Sequence, residues 1–511
     1  MGRAFWREAF QKYKGLKILL CAGGAALFLL VVYGIAYHNA DLWHLWLPIS
    51  ITDDEVMYNR QLVGVLTNGQ PAGYFGYNET HAAIGHFSVW GPVLIYLYAL
   101  PGLLAGAGCN TMVWCNLIFA VLGWTIFAWG ARLSWKKQLA FAAALVCVWF
   151  PLRQVYTGMS EPLQYACILV ILGASEALER KFSVGWYLVL AVACAITTLT
   201  RAYTVLFWVF PILLLWKPHR RLAVTSGVLA VASLGGYLLV SSQFCSPYFS
   251  GGGVDYTGLG LLAQGKPVQA VVYEIQHVLQ QARTLWELYV QPTLTGNYQD
   301  QGRAILTTGV LTLVTLICLI RDIRKKRSVK CKVGALVCVV GSMAMLFGLY
   351  DVGTLHRHCA MLNVLLLGVL VYENIRQAAL YLLPLLLLLP MNYAPGTLPT
   401  YREDIDAQIQ TARAALTESW QARDSEDPWD STLAYAYADG VFHGFLYAVP
   451  DGMGIQFDMN TYIADETQPI YSRYAMVNHG TDAEARLLAE GWQQLVSTEK
   501  LVVYERPDAV Q

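Results

Sequence analysis

Residues 16–37 have the sequence LKILLCAGGAALFLLVVYGIAY. This apolar stretch is long enough to cross a bilayer as one helix. The acidic run Thr52-Asp53-Asp54-Glu55-Val56-Met57-Tyr58 follows it closely. Three adjacent carboxylates near a bilayer surface are costly unless they face water, a cation or a reacting group. The run is therefore the first place at which we expect a functional site.

The composition indicates an integral membrane protein. Apolar residues make up 56% of the chain and charged residues 14%, whereas a soluble domain usually has about 25% charged residues. The net charge of zero hides an asymmetry, because residues 392–511 contain 19 acidic and 7 basic side chains. The basic excess of the preceding part lies in short loops, which is typical of cytoplasmic connections and does not indicate nucleic-acid binding. The eleven cysteines lie mainly in apolar segments and do not suggest a disulfide framework.

The basic clusters predict the topology, with residues 1–15 in the cytoplasm and the C-terminus outside. The segment 89–104 is apolar enough to cross, but a crossing there would place the next basic cluster outside. We predict a half-inserted or surface helix at that position. The predicted spans are eleven, at about 16–37, 111–131, 138–152, 162–178, 184–200, 202–216, 222–241, 304–320, 333–350, 359–375 and 378–391.

The sequence predicts three parts, of which the first is the cytoplasmic segment 1–15. A membrane domain of about eleven transmembrane helices covers residues 16–391, with external juxtamembrane helices and external loops at 38–90 and 242–303. For residues 392–511 the sequence predicts a small extracytoplasmic α/β domain, because helical and strand-like patterns alternate there. Its predicted elements are helices at 401–420 and 482–492 and strands at 432–437, 474–477 and 501–504.

Asp53, Asp54 and Glu55 have two interpretations. Acidic residues are common at the start of a helix, where they interact favourably with the helix dipole. Alternatively, one of them is a general base or a ligand for a divalent cation at the outer membrane face.

Glu161 lies at the start of another predicted span and follows Arg153 and Ser160. The pattern Ser160-Glu161-Pro162 is typical of a helix start, and it also places a carboxylate at the outer face. Arg201 separates two apolar segments at the same face. A lone arginine on that side is expected to have an anionic partner, either a protein carboxylate or a lipid phosphate.

A further outer turn contains His356-Arg357-His358, and the first external loop contains Glu79 and His86. Clustered histidines can bind a metal, although ordinary loop residues are the commoner outcome. Taken together, acids and cations gather at one membrane face. A site that holds a lipid-linked phosphate and removes a proton from an acceptor hydroxyl needs both, since arginine neutralises the phosphate and a carboxylate accepts the proton.

At these positions the chain resembles the GT-C fold glycosyltransferases that use polyprenyl-phosphate sugars, including protein O-mannosyltransferases and the lipid A aminoarabinose transferase. The resemblance covers about residues 16–392 and rests on the order of several short motifs. The family's Arg-Tyr before a late span is represented by His356-Arg357-His358, which lacks the tyrosine. The other matching segments are Asp54-Glu55-Val56-Met57-Tyr58, a degenerate His86–Val93, Arg153 with Ser160-Glu161-Pro162-Leu163, and Leu199-Thr200-Arg201.

The resemblance implies an inverting transfer of a sugar from a polyprenyl phosphate to a glycan, lipid or protein acceptor at the outer face of the plasma membrane. Asp54 would be the catalytic base, with Asp53 as the substitute, and Glu161 would assist through the acceptor or a cation. Some members of the family need a divalent metal and others do not, so no cofactor is assigned. The implied donor-phosphate ligands are Arg201, Arg357 and Arg153, and the implied substrate contacts are Glu55, Tyr58, Glu79 and His86.

A transporter or flippase of a lipid-linked saccharide is the alternative. Such proteins place charged residues near the middle of the bilayer, on broken helices in matched halves. In this sequence the spans are almost free of charge and the acids gather at one side, which favours the enzyme.

Overall fold

The computed structural model describes residues 14–37, 54–71, 75–80, 86–87, 91–245, 255–295, 300–350, 352–371, 379–392, 403–421, 426–436, 443–458 and 461–507. Most of these residues are helical. The α-helices, in chain order, are Lys14–Tyr37 (α1), Asp54–Asn68 (α2), Gly91–Ala105 (α3), Thr111–Gly130 (α4), Trp135–Val148 (α5), Phe150–Val155 (α6), Glu161–Arg180 (α7), Val184–Thr200 (α8), Val209–Leu215 (α9), Arg220–Phe244 (α10), Thr257–Ala263 (α11), Pro267–Leu285 (α12), Gln291–Leu294 (α13), Asp300–Arg324 (α14), Lys330–Leu349 (α15), Leu355–Val371 (α16), Ala379–Asn392 (α17), Glu403–Gln421 (α18) and Asp482–Ala489 (α19).

Shorter helical turns connect some of these elements. A π-helical turn, Trp286–Val290, continues α12, and 3₁₀ turns lie at Ala202–Trp208, Val352–Thr354, Pro428–Ser431 and His443–Ala448. Among the described residues, α1, α4, α7, α10, α14 and α15 are long and apolar enough to cross a membrane. The chain is therefore an integral membrane protein with several candidate spans.

Each of the eleven predicted spans contains helical residues, but not every one is a single helix. The predicted span 138–152 is wrong as a continuous helix. Trp149 has a φ of 56°, which is unfavourable for a side chain of that size and ends α5. Pro151 lies in the first turn of α6, where a missing N–H costs little. The predicted span 202–216 begins as a 3₁₀ turn before α9, and the number of crossings stays a prediction.

Helices α4 and α7 pack against each other through their backbones. A Cβ atom added to Gly123 would lie 2.6 Å from the Cα of Ala166, and one added to Gly173 would lie 2.8 Å from the carbonyl oxygen of Ile126. Small residues allow helix backbones to approach this closely, which is how membrane helices gain van der Waals contact without a hydrophobic driving force. Almost all of α7 and α16 is buried, so these two helices form the centre of the bundle.

A mixed sheet contains one early strand and five strands from the C-terminal part of the chain. They are Phe75–Tyr77 (β1), Thr432–Tyr435 (β2), Gly454–Phe457 (β3), Tyr474–Asn478 (β4), Gln493–Ser497 (β5) and Leu501–Glu505 (β6). The strand order is β1-β3-β2-β4-β6-β5. The first four strands are parallel, whereas β6 and β5 pair antiparallel. Helix α18 covers this sheet with Ile405, Ile409, Ala412 and Leu416.

The edge strand β1 comes from the segment predicted as the first external loop. Gly76 pairs in parallel with Gln456. Glu79 fixes the end of this strand, because its carboxylate accepts hydrogen bonds from the backbone N–H groups of Tyr471 (2.8 Å) and Ser472 (2.7 Å) and from the Ser472 hydroxyl. Val56 and Met57 of α2 are buried in the same core as the sheet. The sequence did not indicate β1, β3 or β5.

The close packing of α4 and α7 predicts a strong effect of one methyl group. In Gly173→Ala the new methyl meets two backbone atoms, the Ile126 oxygen and the Phe127 Cα, each at 2.8 Å. Because backbone atoms cannot swing aside, we expect a loss of about 1–3 kcal/mol in stability. This loss should lower the thermal unfolding midpoint of the detergent-solubilised protein.

Gly227→Ala in α10 is the matched control, since nothing lies within 4 Å of its added Cβ. The same exchange there should leave the midpoint unchanged or raise it slightly. Equal midpoints for the two variants would contradict the close approach of α4 and α7.

Candidate functional site

Four charged side chains meet at one end of the helical bundle. Arg357 donates from Nη1 to Asp54 Oδ2 at 2.6 Å and from Nε to Glu161 Oε1 at 2.8 Å. Arg201 donates from Nη2 to the same Glu161 oxygen at 2.8 Å. We call Asp54, Glu161, Arg201 and Arg357 the ion cluster.

Helix ends bring these residues together. Asp54 and Glu161 are the first residues of α2 and α7, and Arg201 directly follows the last residue of α8. Helix N-termini carry partial positive charge and C-termini partial negative charge, so each of these side chains has the sign that its helix end favours. Arg357 lies in the first turn of α16 and is held there by the two carboxylates.

The ion cluster becomes more exposed toward Asp54. The side chains of Glu161 and Arg201 are 2% and 4% exposed, that of Arg357 13%, and that of Asp54 38%. Two carboxylates and two guanidiniums balance to zero charge, and only such pairing makes this degree of burial affordable. The accessible part of the cluster is therefore the pair Asp54 and Arg357.

Two buried polar atoms of the cluster lack a hydrogen-bond partner among the described residues, namely Glu161 Oε2 and Arg357 Nη2. Buried polar groups normally have partners, so this unused guanidinium donor is an exception that a bound acceptor would remove. Phosphate oxygens, like carboxylate oxygens, form strong charge-assisted hydrogen bonds with a guanidinium.

Tyr58 lies one turn after Asp54 on α2. Burial raises the pKa of Tyr58, and the nearby Asp54 carboxylate raises it further. The phenol therefore stays protonated at neutral pH and can donate a hydrogen bond near the cluster. Glu55 accepts a hydrogen bond from the Gly158 N–H at 3.2 Å, which ties the start of α2 to the turn before α7. A Cβ at Gly158 would lie 2.9 Å from the Glu55 carbonyl oxygen, so the contact requires glycine.

The other predicted site residues lie in different places. Asp53 is outside the described residues. Arg153 is on α6, where Phe150 packs edge-on against His356 with 5.6 Å between ring centroids. His86 precedes Phe87, which bridges to Cys245. Glu79 is used at the edge of the C-terminal sheet, where its oxygens hold Tyr471 and Ser472, so its predicted role in substrate binding gains no support from this position.

Arg60 was not predicted from the sequence. Its guanidinium is 2% exposed and donates to the carbonyl oxygens of Leu446 (2.9 Å), Val449 and Pro450 (3.0 Å). Burial lowers the pKa of Arg60 to about 10, so the group remains charged at neutral pH. The available signal was the pattern Asn59-Arg60-Gln61 between the apolar residues Val56, Met57, Leu62 and Val63. Polar residues that are buried within a helix need a specific partner.

The ion cluster does not fit a divalent cation in this arrangement. The guanidinium of Arg357 contacts both Asp54 and Glu161 and fills the position that a cation would share with them. A second cation there would be repelled. A separate group of Glu176, Glu179 and Cys331 has ligand atoms within 4.8 Å of one another and could hold a metal. It lies toward the far end of α7, about 22 Å along the helix from Glu161.

The pairing of Glu161 with two arginines predicts a large loss of stability in Glu161→Ala. That substitution leaves two buried guanidiniums without their shared carboxylate, and breaking a buried pair in this way costs about 3–5 kcal/mol. The measurement is chemical unfolding of the purified protein in detergent.

Glu176→Ala on the same helix is the control. Glu176 is 23% exposed and has an ion pair of 3.9 Å with Arg180, and such surface pairs contribute about 0–1 kcal/mol. If both variants unfolded at the same denaturant concentration, Glu161 would not be needed to stabilise the buried guanidiniums of Arg201 and Arg357.

Comparison with known proteins gives no match to a protein-family model and none to a curated protein sequence. Solved structures do resemble the chain. An oligosaccharyltransferase of Archaeoglobus fulgidus, tethered to an acceptor peptide, has 13% identity and a TM-score of 0.49 over 91% of this chain and 69% of its own. ArnT of Cupriavidus metallidurans bound to undecaprenyl phosphate has 12% identity and a TM-score of 0.42 over 96% of this chain and 98% of its own. Both likenesses cover more than nine tenths of this chain, at low sequence identity.

Proposed function

We propose that this chain is an inverting glycosyltransferase that moves a sugar from a polyprenyl-phosphate donor to a cell-envelope acceptor at the outer face of the membrane. The observation that carries the proposal is the position of Arg357. It lies between the partly exposed Asp54 and the buried Glu161, and its Nη2 atom has no hydrogen-bond partner among the described residues.

In this proposal Arg357 binds the donor phosphate. The unused Nη2 offers a first hydrogen bond, and a phosphate oxygen can also replace Asp54 at Nη1. Arginine suits this role because its planar group presents two parallel donors to a phosphate. As the sugar leaves, negative charge grows on the phosphate oxygen, and a fixed guanidinium stabilises that charge.

Asp54 is the proposed base. In the structure the Asp54 carboxylate is engaged by Arg357. When the donor phosphate takes its place on that guanidinium, the Asp54 carboxylate is released and can accept the proton of the acceptor hydroxyl. The acceptor oxygen then forms a bond to the anomeric carbon while the bond from that carbon to the phosphate oxygen breaks. The polyprenyl phosphate leaves, and the anomeric centre is inverted.

Glu161 and Arg201 are proposed as positioning residues. Glu161 orients Arg357 through its Nε, and Arg201 holds Glu161 while also donating to the Ser160 hydroxyl at 3.1 Å. The prenyl tail of the donor would lie among lipids beside the bundle. The proposal includes the predicted topology, with the N-terminus in the cytoplasm, the membrane domain at 16–391 and the domain 392–511 outside the plasma membrane.

The proposal predicts that Asp54→Asn greatly reduces sugar transfer. Asparagine keeps the shape of the side chain but cannot accept a proton, and a general base contributes about 10²–10⁴-fold to a rate. The purified protein in lipid nanodiscs would be incubated with a polyprenyl-phosphate donor whose sugar is radiolabelled, and with a membrane extract that supplies the acceptor. The measurement is the radioactivity transferred to the components of the extract.

Asp482→Asn, at an exposed position at the start of α19, is the control and should transfer at the normal rate. Full activity in the Asp54→Asn variant would show that Asp54 is not the catalytic base. If the protein moved the intact lipid-linked saccharide across a vesicle membrane without releasing polyprenyl phosphate, it would be the transporter or flippase considered from the sequence.

A second prediction concerns Arg357→Gln. Because the variant loses the charge that stabilises the leaving phosphate, we expect kcat to fall about 10²–10³-fold. Arg283→Gln removes a guanidinium that is 80% exposed on α12 and should have no effect. Steady-state kinetics with varied donor concentration test the prediction, and an unchanged kcat would remove Arg357 from the phosphate site.

A further inference from the structure

A cavity of about 370 Å³ lies where α2 meets the C-terminal residues. Its walls include Arg60 and Val63 of α2, Cys109 of the loop before α4, and Ile409 and Arg413 of α18. The ring of Tyr447 also lines it. Small-molecule sites commonly have volumes of about 300–1,000 Å³, so the cavity is large enough for one. We call it the junction cavity.

The junction cavity and the ion cluster lie on opposite faces of α2. Asn59, Arg60, Val63 and Thr67 line the cavity, and at 100° per residue they fall within a sector of about 100°. Asp54 falls on the other side of the helix. The cavity is therefore separate from the reacting groups, although the same short helix forms a wall of both.

The charges around the junction cavity cancel. Its charged lining residues are Arg60, Arg413, Asp406 and Asp451. Arg413 pairs with Asp451 at 2.6 Å and donates to the Tyr447 carbonyl oxygen at 3.0 Å. An anionic ligand would need a surplus of positive charge, so the lining favours an uncharged, polar ligand.

Arg60 supplies the second observation that indicates a ligand. Its Nη atoms donate three hydrogen bonds to backbone carbonyl oxygens, while its buried Nε has no hydrogen-bond partner among the described residues. A hydroxyl group can accept from such a donor and then donate in turn, which a carbonyl cannot do. The ring of Tyr447 and the side chains of Val63 and Ile409 provide apolar surface for the C–H groups of a sugar ring.

We propose that the junction cavity binds a neutral saccharide unit of the acceptor, remote from the hydroxyl that reacts. The proposal rests on the proposed function, because it gives the acceptor a second attachment beyond α2. An α-helix with its side chains is about 10–12 Å wide. An acceptor that reaches both faces therefore contains several sugar units, and binding energy at the remote unit helps to position the reacting hydroxyl.

Cys109 makes the cavity measurable. It is exposed, whereas the other ten cysteines are buried or half-buried. The rate at which N-ethylmaleimide alkylates Cys109 would be measured by mass spectrometry on the full chain in detergent. The probes are the methyl glycosides of glucose, mannose, galactose and N-acetylglucosamine, with inorganic phosphate and a neutral tripeptide for comparison.

We expect at least one methyl glycoside to slow alkylation of Cys109 severalfold, with no effect of phosphate or the tripeptide. Protection by phosphate or by the tripeptide without protection by any glycoside would overturn the saccharide assignment. Absence of protection by every probe would overturn the site itself.

A pair of variants on α18 provides the matched control. Gln410 is exposed and lines the cavity, so Gln410→Trp should fill its mouth, abolish protection and raise the acceptor KM without changing the donor KM. Gln421→Trp makes the same exchange at an exposed position outside the lining and should behave as the unaltered protein. Equal protection in the two variants would contradict the proposal.

The labelling does not depend on catalysis, so the two proposals can fail separately. Protection without any sugar transfer would leave the cavity as a saccharide site and refute the glycosyltransferase. Suppose instead that the protein transfers sugar, no glycoside protects Cys109, and the acceptor KM is unchanged in Gln410→Trp. The glycosyltransferase proposal would then stand and the saccharide site in the junction cavity would be refuted.

Discussion

Charge neutralisation at one end of the bundle is the constraint on which the arrangement depends. Glu161 and Arg201 are almost completely buried, and isolated charges in that environment would cost several kcal/mol each. They are tolerable because each charge faces an opposite one at hydrogen-bonding distance. The helices α7, α8 and α16 must therefore begin or end at the same level, which fixes how they lie along one another.

The close contact between α4 and α7 serves the same geometry. Gly123 and Gly173 allow the backbones to touch, so α7 has little freedom to slide or rotate. Its first residue, Glu161, is consequently held in place by packing along the helix as well as by the two arginines. A rigid frame with one accessible pair of charges, Asp54 and Arg357, is what electrostatic stabilisation of a developing charge requires.

The sequence predicted the helices well, because long apolar segments leave few alternatives in a bilayer. It also indicated Glu161, Arg201 and Arg357 as candidates, since charges at the end of an apolar span need partners. Asp54 was indicated by the acidic run to which it belongs, in the first predicted external loop. It could not show which pairs form, as this depends on the packing of helices distant in the chain. The break at Trp149 was missed because backbone conformation, not hydropathy, ends that helix.

The C-terminal sheet was predicted only in part, for a physical reason. Strands such as β1, with three residues, have no pattern of their own and are defined by the neighbour that they pair with. Glu79 was predicted to contact the substrate because it is an acid in a predicted external loop, and that role stays a prediction. The structure uses it to hold two backbone N–H groups beside that strand.

The origin of β1 has a consequence for biosynthesis. Gly76 emerges from the ribosome 380 residues before its partner Gln456, so the edge strand waits through the insertion of nearly the whole bundle. During that time its unpaired N–H and C=O groups could pair with another chain. Completion of the sheet thus joins a segment that precedes most of the helical bundle to one that is synthesised after it.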